Sequence, residues 1–235
     1  MAPIINTSSE VTRGKLIEAG RELFARDGLE GTRVDRLADL AGVNKALISY
    51  HFRGKEGLYR AVLEEIFREV AVELESRLGG EVAPKEQLRA WASALGEIME
   101  EKPDFAAIFL REILAGGERL DGGAAESARR SLSLLRSTLT AGHSSGEIRD
   151  TDPFLLHLLL LGGIVLAQLS APYRERLEGP ESDRDPSTHL PPSTREMVPF
   201  LEDLIQRCYL SQPGSSYAPE DPGEEDDRQP PEGEI

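Results

Sequence analysis

Residues 32–60, TRVDRLADLAGVNKALISYHFRGKEGLYR, decide the fold. They read as two short helices joined by a tight turn and followed at once by a longer helix. Val34, Leu37, Ala38 and Ala41 recur at helical spacing, so one stripe of the first short helix is apolar. Gly42 can take positive φ at the turn, and Val43 can plug the space between the helices. Asn44 suits the N-cap of the next helix, Lys45 to His51. Ile48 and Phe52 can face inward. Lys45, Ala46, Leu47, Ser49, Tyr50 and His51 are left to face something else. A helix so short, with polar and aromatic residues to spare, has the form of a recognition helix in a DNA major groove.

Outward from this stretch the pattern stays helical. Thr7 and Glu10 are spaced as a capping box for a first helix that Gly28 ends, with Leu16, Ile17, Leu23 and Phe24 on its buried stripe. Thr32 is the expected cap of the second helix. A fourth helix, about Lys55 to Leu78, carries Leu58, Val62, Ile66 and Val70 at i, i+4 spacing. It is too long for a small bundle alone and is expected to link two domains. Pro84 to about Glu100 reads as a fifth helix, and a sixth is capped by Asp104. A seventh spans roughly Ala124 to Ala141, an eighth runs from Pro153 to about Ser170, and a ninth from Ser193 to Leu210. Residues 174–192 read as a polar, Pro-rich loop. Residues 212–235 read as a disordered acidic tail.

Composition narrows the class. The formal charge is −15, yet residues 1–60 hold ten Lys and Arg against eight Asp and Glu, a net +2. Net charge is a weak guide when basic side chains share one face. A single cysteine, Cys208, excludes an internal disulfide framework and a multi-cysteine zinc site. The first ten residues lack a signal-peptide pattern, which points to a cytoplasmic protein. Residues 153–173 carry no formal charge and have the length of a membrane span, but His157, Gly162-Gly163 and Gln168 interrupt the run. A helix buried by its own core on one side and a partner on the other is the better reading.

No catalytic constellation, phosphate loop or dinucleotide fingerprint is present, so the reading is not of an enzyme and no cofactor or metal is expected. Thr32 and Arg33 stand at a helix start, where N–H groups and a hydroxyl can hold a phosphate or simply cap. Asn44 has the same two readings. Lys45 can reach phosphate or guanine, or be a solvated lysine. Ala46, Leu47 and Ser49 are candidates for base contacts, though Leu47 can equally be core. Lys55, at a helix start, suits one more phosphate.

The stretch resembles the DNA-binding domain of the TetR/AcrR family of bacterial transcriptional regulators. The resemblance rests on Gly28-Leu29-Glu30-Gly31-Thr32, Ala41-Gly42-Val43-Asn44-Lys45, Tyr50-His51-Phe52 and Lys55-Glu56-Gly57-Leu58, in the family's order and spacing over about residues 9–70. Ser49 stands where many members carry an aromatic residue, and Gly54 where a capping residue is common; the first bears on base preference. The resemblance implies an all-α protein of about nine helices. A three-helix helix-turn-helix domain, 1–54, would precede a regulatory and dimerisation domain, 55–211. It implies that Tyr50 and His51 meet the DNA backbone. It implies a homodimer through helices about 152–170 and 193–210, with Gly162-Gly163 suited to close approach. It also implies an effector cavity, for which Trp91, Met99, Phe105, Phe109, Leu135 and His157 are the candidates; each can instead be plain core. The expected function is repression from a palindromic operator, relieved by a small apolar or amphipathic effector. The alternatives are a small-molecule sensor or carrier that binds DNA only non-specifically, and a membrane-associated helical protein.

Overall fold

Gly28 sets the boundary of the first element. At φ 72°, ψ 177° it leaves the helical region, and only a short turn to Gly31 follows. The computed structural model describes residues 7–178 and 192–210. Its elements are α1 Thr7–Gly31, α2 Val34–Ala41, α3 Ala46–Phe52, α4 Lys55–Leu78, α5 Pro84–Glu101, α6 Pro103–Leu114, α7 Gly122–Ser144, α8 Pro153–Leu169, α9 Ala171–Glu178 and α10 Thr194–Leu204. A π-helical turn, Ile205–Tyr209, prolongs α10. Among the described residues the β-type pairing is confined to an isolated antiparallel bridge between Ile148 and Leu210. The Thr7 side chain and the tail lie outside the described residues.

The first three helices form a small unit on the start of α4. Leu16, Ile17, Leu23 and Phe24 of α1 meet Leu37, Ala38 and Ala41 of α2 and Ile48 and Phe52 of α3, all buried. Gly42 takes φ 64°, and the N–H groups of Gly42 and Val43 close on Asp39 O and Ala38 O, ending α2 sharply. Asn44 Oδ1 accepts from Ala46 N at 2.8 Å, which starts α3.

α4 runs through both halves of the molecule. Leu58, Tyr59 and Val62 serve the N-terminal unit, and Phe67, Val70 and Leu74 serve the larger bundle of α5 to α8 and α10. Trp91, fully buried on α5, is the largest side chain of that bundle's core.

Three expectations need correction. Asp104 does not cap α6, whose first residue is Pro103; its carboxylate is taken by Arg21. The chain does not become a loop at 174, because α9 continues to Glu178. The α8–α9 bend of 51° coincides with Pro172, which lacks the N–H a continuous helix would need. The described residues thus hold ten helices, in line with the expected all-α fold of about nine. Ser193 and Glu196 form a reciprocal capping box at α10, but the helix gives way to the π turn at Ile205 and does not run unbroken to Leu210. No single helix among the described residues is long and apolar enough to cross a membrane; α8 and α9 reach that length only together, across their bend.

Candidate DNA-binding face and regulatory cavity

α3 owes its outward face to what it buries. Ile48 and Phe52 point inward, which turns Ala46, Ser49 and Tyr50 to solvent, with Tyr50 78% exposed. An aromatic so exposed in a monomer is a poor use of apolar surface unless something binds it. Tyr50 and His51 stand edge to face at 5.0 Å, and His51 is half-buried. Lys45 is exposed and pairs with Asp35 at 3.1 Å across the turn. Leu47 is half-buried and packs against the core, the blander of its two readings. Arg33 is exposed at the start of α2, where no described side chain caps the helix and the first-turn N–H groups stay available.

Two residues expected at this face are otherwise engaged. Thr32 is buried, and its hydroxyl donates to Gly28 O at 2.6 Å and Leu23 O at 3.2 Å. It closes the broken end of α1 and neither caps α2 nor offers a donor outward. Lys55 Nζ donates to Leu29 O at 2.6 Å and Thr32 O at 3.1 Å, so its charge sits on carbonyls left over where α1 stops. Asn44 uses its Oδ1 as a cap and keeps its amide N–H groups. Arg13 of α1 lies over the Phe52 ring at 5.5 Å and is exposed beside α3; its distance in sequence gave no sign of this.

The larger bundle holds a cavity of about 280 Å³ among α4, α5, α6, α7 and α8. Phe105 and Phe109 stack in its wall at 5.5 Å and 9°, with Phe67 against both. His157 lines it too. Trp91, Met99 and Leu135 do not: they are fully buried elsewhere in the core. Helical periodicity marks a residue as inward but not which inward residues leave space between them. Phe67, Leu132, Phe154 and Leu158 line the cavity and were not singled out from sequence. His157 Nδ1 is buried with no partner among the described residues, and burial pushes the imidazole pKa down.

α6 joins this cavity to the N-terminal unit. Arg21 of α1 binds Asp104 at 2.6 Å and Glu69 at 2.9 Å, while Lys102 holds the other Glu69 oxygen at 3.0 Å. Burial works to lower the Arg21 pKa, but hydrogen bonding and attraction from Asp104 and Glu69 prevail and raise it, so Arg21 stays charged. Arg111 donates to Arg26 O at 2.9 Å. Tyr59 of α4 donates to the buried Glu112 at 3.0 Å; burial, then the Glu112 charge, push its phenol well above the usual range.

α8 also carries an apolar outer face. Phe154, Leu155, Leu158, Leu159 and Leu166 are all exposed, as is Phe200 on α10. Phe154 and Leu158 belong to the cavity wall as well. Gly163 is covered by Met197 and Leu201 of α10, whereas a side chain on Gly162 would meet open space.

Comparison with known proteins agrees with this arrangement. Residues 16–62 match the model of bacterial regulatory proteins of the tetR family, and residues 81–168 match that of the tetracyclin repressor-like C-terminal domain. The chain is 28% identical over 153 residues to the transcriptional repressor NicS of Pseudomonas putida, spanning 64% of this chain and 71% of that protein. It is 31% identical over 147 residues to the regulator RutR of Escherichia coli O157:H7, spanning 62% and 68%. Among solved structures, the regulator FadR from Bacillus subtilis, in complex with stearoyl-CoA, aligns with a TM-score of 0.62 at 20% identity, over 82% of this chain and 95% of that one.

Proposed function

The chain belongs to the tetR family of bacterial regulatory proteins and is a DNA-binding transcriptional regulator; from that premise we propose that it is a homodimeric repressor, released from a palindromic operator by a small apolar molecule. The division into a DNA-binding domain at 1–54 and a regulatory domain at 55–211, with α4 between them, belongs to the same reading. The observation that carries it is the outer face of α3: Ala46, Ser49 and a 78% exposed Tyr50 on a helix fixed from behind by Ile48 and Phe52. Such a helix offers base-contacting side chains without loss of core. Arg33, Lys45, Tyr50 and His51 supply donors for flanking phosphates.

The exposed apolar stripe of α8 supports pairing of two copies, since stripes of this kind mark association surfaces. Two paired copies would present their α3 helices to successive major grooves of a two-fold site. The cavity supports effector control, and FadR's complex with stearoyl-CoA is an example of ligand binding on this fold. Because α6 forms part of the cavity wall and also holds α1 through Asp104 and Arg111, a ligand that moves Phe105 and Phe109 acts on the DNA-binding unit. It does so only by as much as it prefers one arrangement over the other. The protein is expected to work in the cytoplasm.

Footprinting on the DNA flanking its own gene, at two salt concentrations and with competitor DNA, tests the reading. A protected, two-fold symmetric site that survives competitor is the expected result. Smeared, salt-labile protection would replace it with a sensor or carrier that binds DNA only non-specifically.

A further inference from the structure

The cavity wall restricts the chemistry of what can occupy it. Phe67, Phe105 and Phe109 form an aromatic side, and Leu95, Leu161 and Val70 continue it. No acidic residue is among its described lining residues, so nothing there would balance a cation. Its one cation, Arg129, is exposed and already bound to Glu126 at 2.9 Å, so a carboxylate inside would be desolvated without a buried counter-charge. Ser131 Oγ already donates to Ser127 O at 3.3 Å. That leaves His157, whose Nδ1 is buried with no partner among the described residues, while desolvation favours the neutral ring.

We infer that the cavity takes an uncharged, largely apolar and partly aromatic molecule bearing a single hydroxyl or carbonyl, and that His157 reads that group. The inference rests on the reading of the cavity as the effector site. A neutral imidazole can accept from a hydroxyl or, in its other tautomer, donate to a carbonyl. An isolated polar atom in an apolar wall is the usual means by which such a site fixes orientation. A ligand group that bonds Nδ1 gains a hydrogen bond in a low-dielectric wall.

The test uses the full chain and three probes of one shape: biphenyl, para-phenylphenol and para-phenylbenzoate, titrated by calorimetry at pH 7.5. The phenol is expected to bind about tenfold tighter than biphenyl, as one buried hydrogen bond provides, and the benzoate weakest of the three. In His157→Leu the phenol should fall to the affinity of biphenyl while biphenyl keeps its own. His157→Gln, which restores an amide at the same place, should recover part of the difference and guards against a folding defect in the first variant. Tightest binding by the benzoate, or an undiminished phenol advantage in His157→Leu, overturns the inference and leaves the cavity reading intact. Failure of all three probes to bind overturns both.

Discussion

Arg21 Nε lies 2.6 Å from Asp104 Oδ2, so the first helix of the DNA-binding unit is held by the residue next to Phe105 in the cavity wall. Arg21, Asp104 and Glu69 keep side-chain exposures of 14%, 18% and 21%, low enough that the charges are poorly screened. Loss of Arg21 removes the hydrogen bonds to both Asp104 and Glu69 and leaves Lys102 to balance Glu69. Arg21→Ala is expected to lower unfolding stability by about 1–3 kcal/mol, below the range for a fully buried pair because some solvent reaches it. The double variant with Asp104→Ala should recover part of that in urea unfolding. Equal losses in single and double variants would mean that the Asp104 carboxylate left without Arg21 costs nothing.

Tyr50→Ala should separate binding from folding. The side chain is 78% exposed, so its removal is expected to change stability by no more than about 0.5 kcal/mol. Operator affinity should fall about tenfold, as loss of a DNA contact does. Fluorescence anisotropy on the footprinted site measures this, and an unchanged affinity would remove Tyr50 from the interface.

Lys55→Met should do the reverse. Its ammonium holds Leu29 O and Thr32 O, so the variant leaves carbonyls at the end of α1 unsatisfied and should melt earlier, by about 1–3 kcal/mol. The salt dependence of DNA binding should keep its slope. A slope lower by about one, with unchanged melting, would return Lys55 to the role of a phosphate contact.

Lys55 and Thr32 show where the sequence stops informing. The helix-turn-helix was readable because Ile48, Phe52, Gly42 and Asn44 each obey a local rule: apolar spacing, positive φ, capping. Whether Thr32 or Lys55 turns outward depends on where α1 leaves its last carbonyls, which is a matter of tertiary packing. The cavity divides in the same way. Phe105, Phe109 and His157 lie at it, but Trp91, Met99 and Leu135, each one turn from the lining residues Leu95 or Ser131, are fully buried away from it. A residue's inward direction is periodic, whereas a gap between helices is a property of all of them at once. Asp104 was legible as a residue at a helix start, but not as the counter-ion of Arg21, 83 residues earlier.

His157 gives a pH dependence with a defined sign. Burial lowers its pKa in the folded protein from the ordinary value of 6.5. The neutral folded form therefore has its full stability above that value, and the stability is lost as pH falls toward the depressed folded pKa, because the unfolded chain takes up the proton first. Arg129, the charged residue in the same wall, is exposed and paired with Glu126, so it does not reverse the sign. Wild-type protein should lose stability relative to His157→Leu on going from pH 7 to pH 5 in thermal melts. A difference that stays flat across this range would mean that His157 is solvated in the folded state.

Leu155 tests the pairing surface apart from the cavity. It is 65% exposed on α8, beside Phe154, Leu158 and Leu159, but it does not line the cavity, whereas Phe154 and Leu158 do. An aspartate at position 158 would disturb both functions; Leu155→Asp puts the charge on the outer stripe alone. Since the residue is exposed in a single chain, the fold of the protomer should survive. Burying a lone carboxylate between two copies, next to its symmetry mate, is costly enough to split the dimer. The variant is expected to sediment as a monomer at micromolar concentration. It should bind the operator at least about 100-fold more weakly, because the second half-site contact is no longer intramolecular. Binding of para-phenylphenol to the cavity should persist, which separates loss of pairing from loss of fold. A Leu155→Asp protein that remains dimeric would move the pairing surface off α8 and leave its apolar stripe in need of another partner.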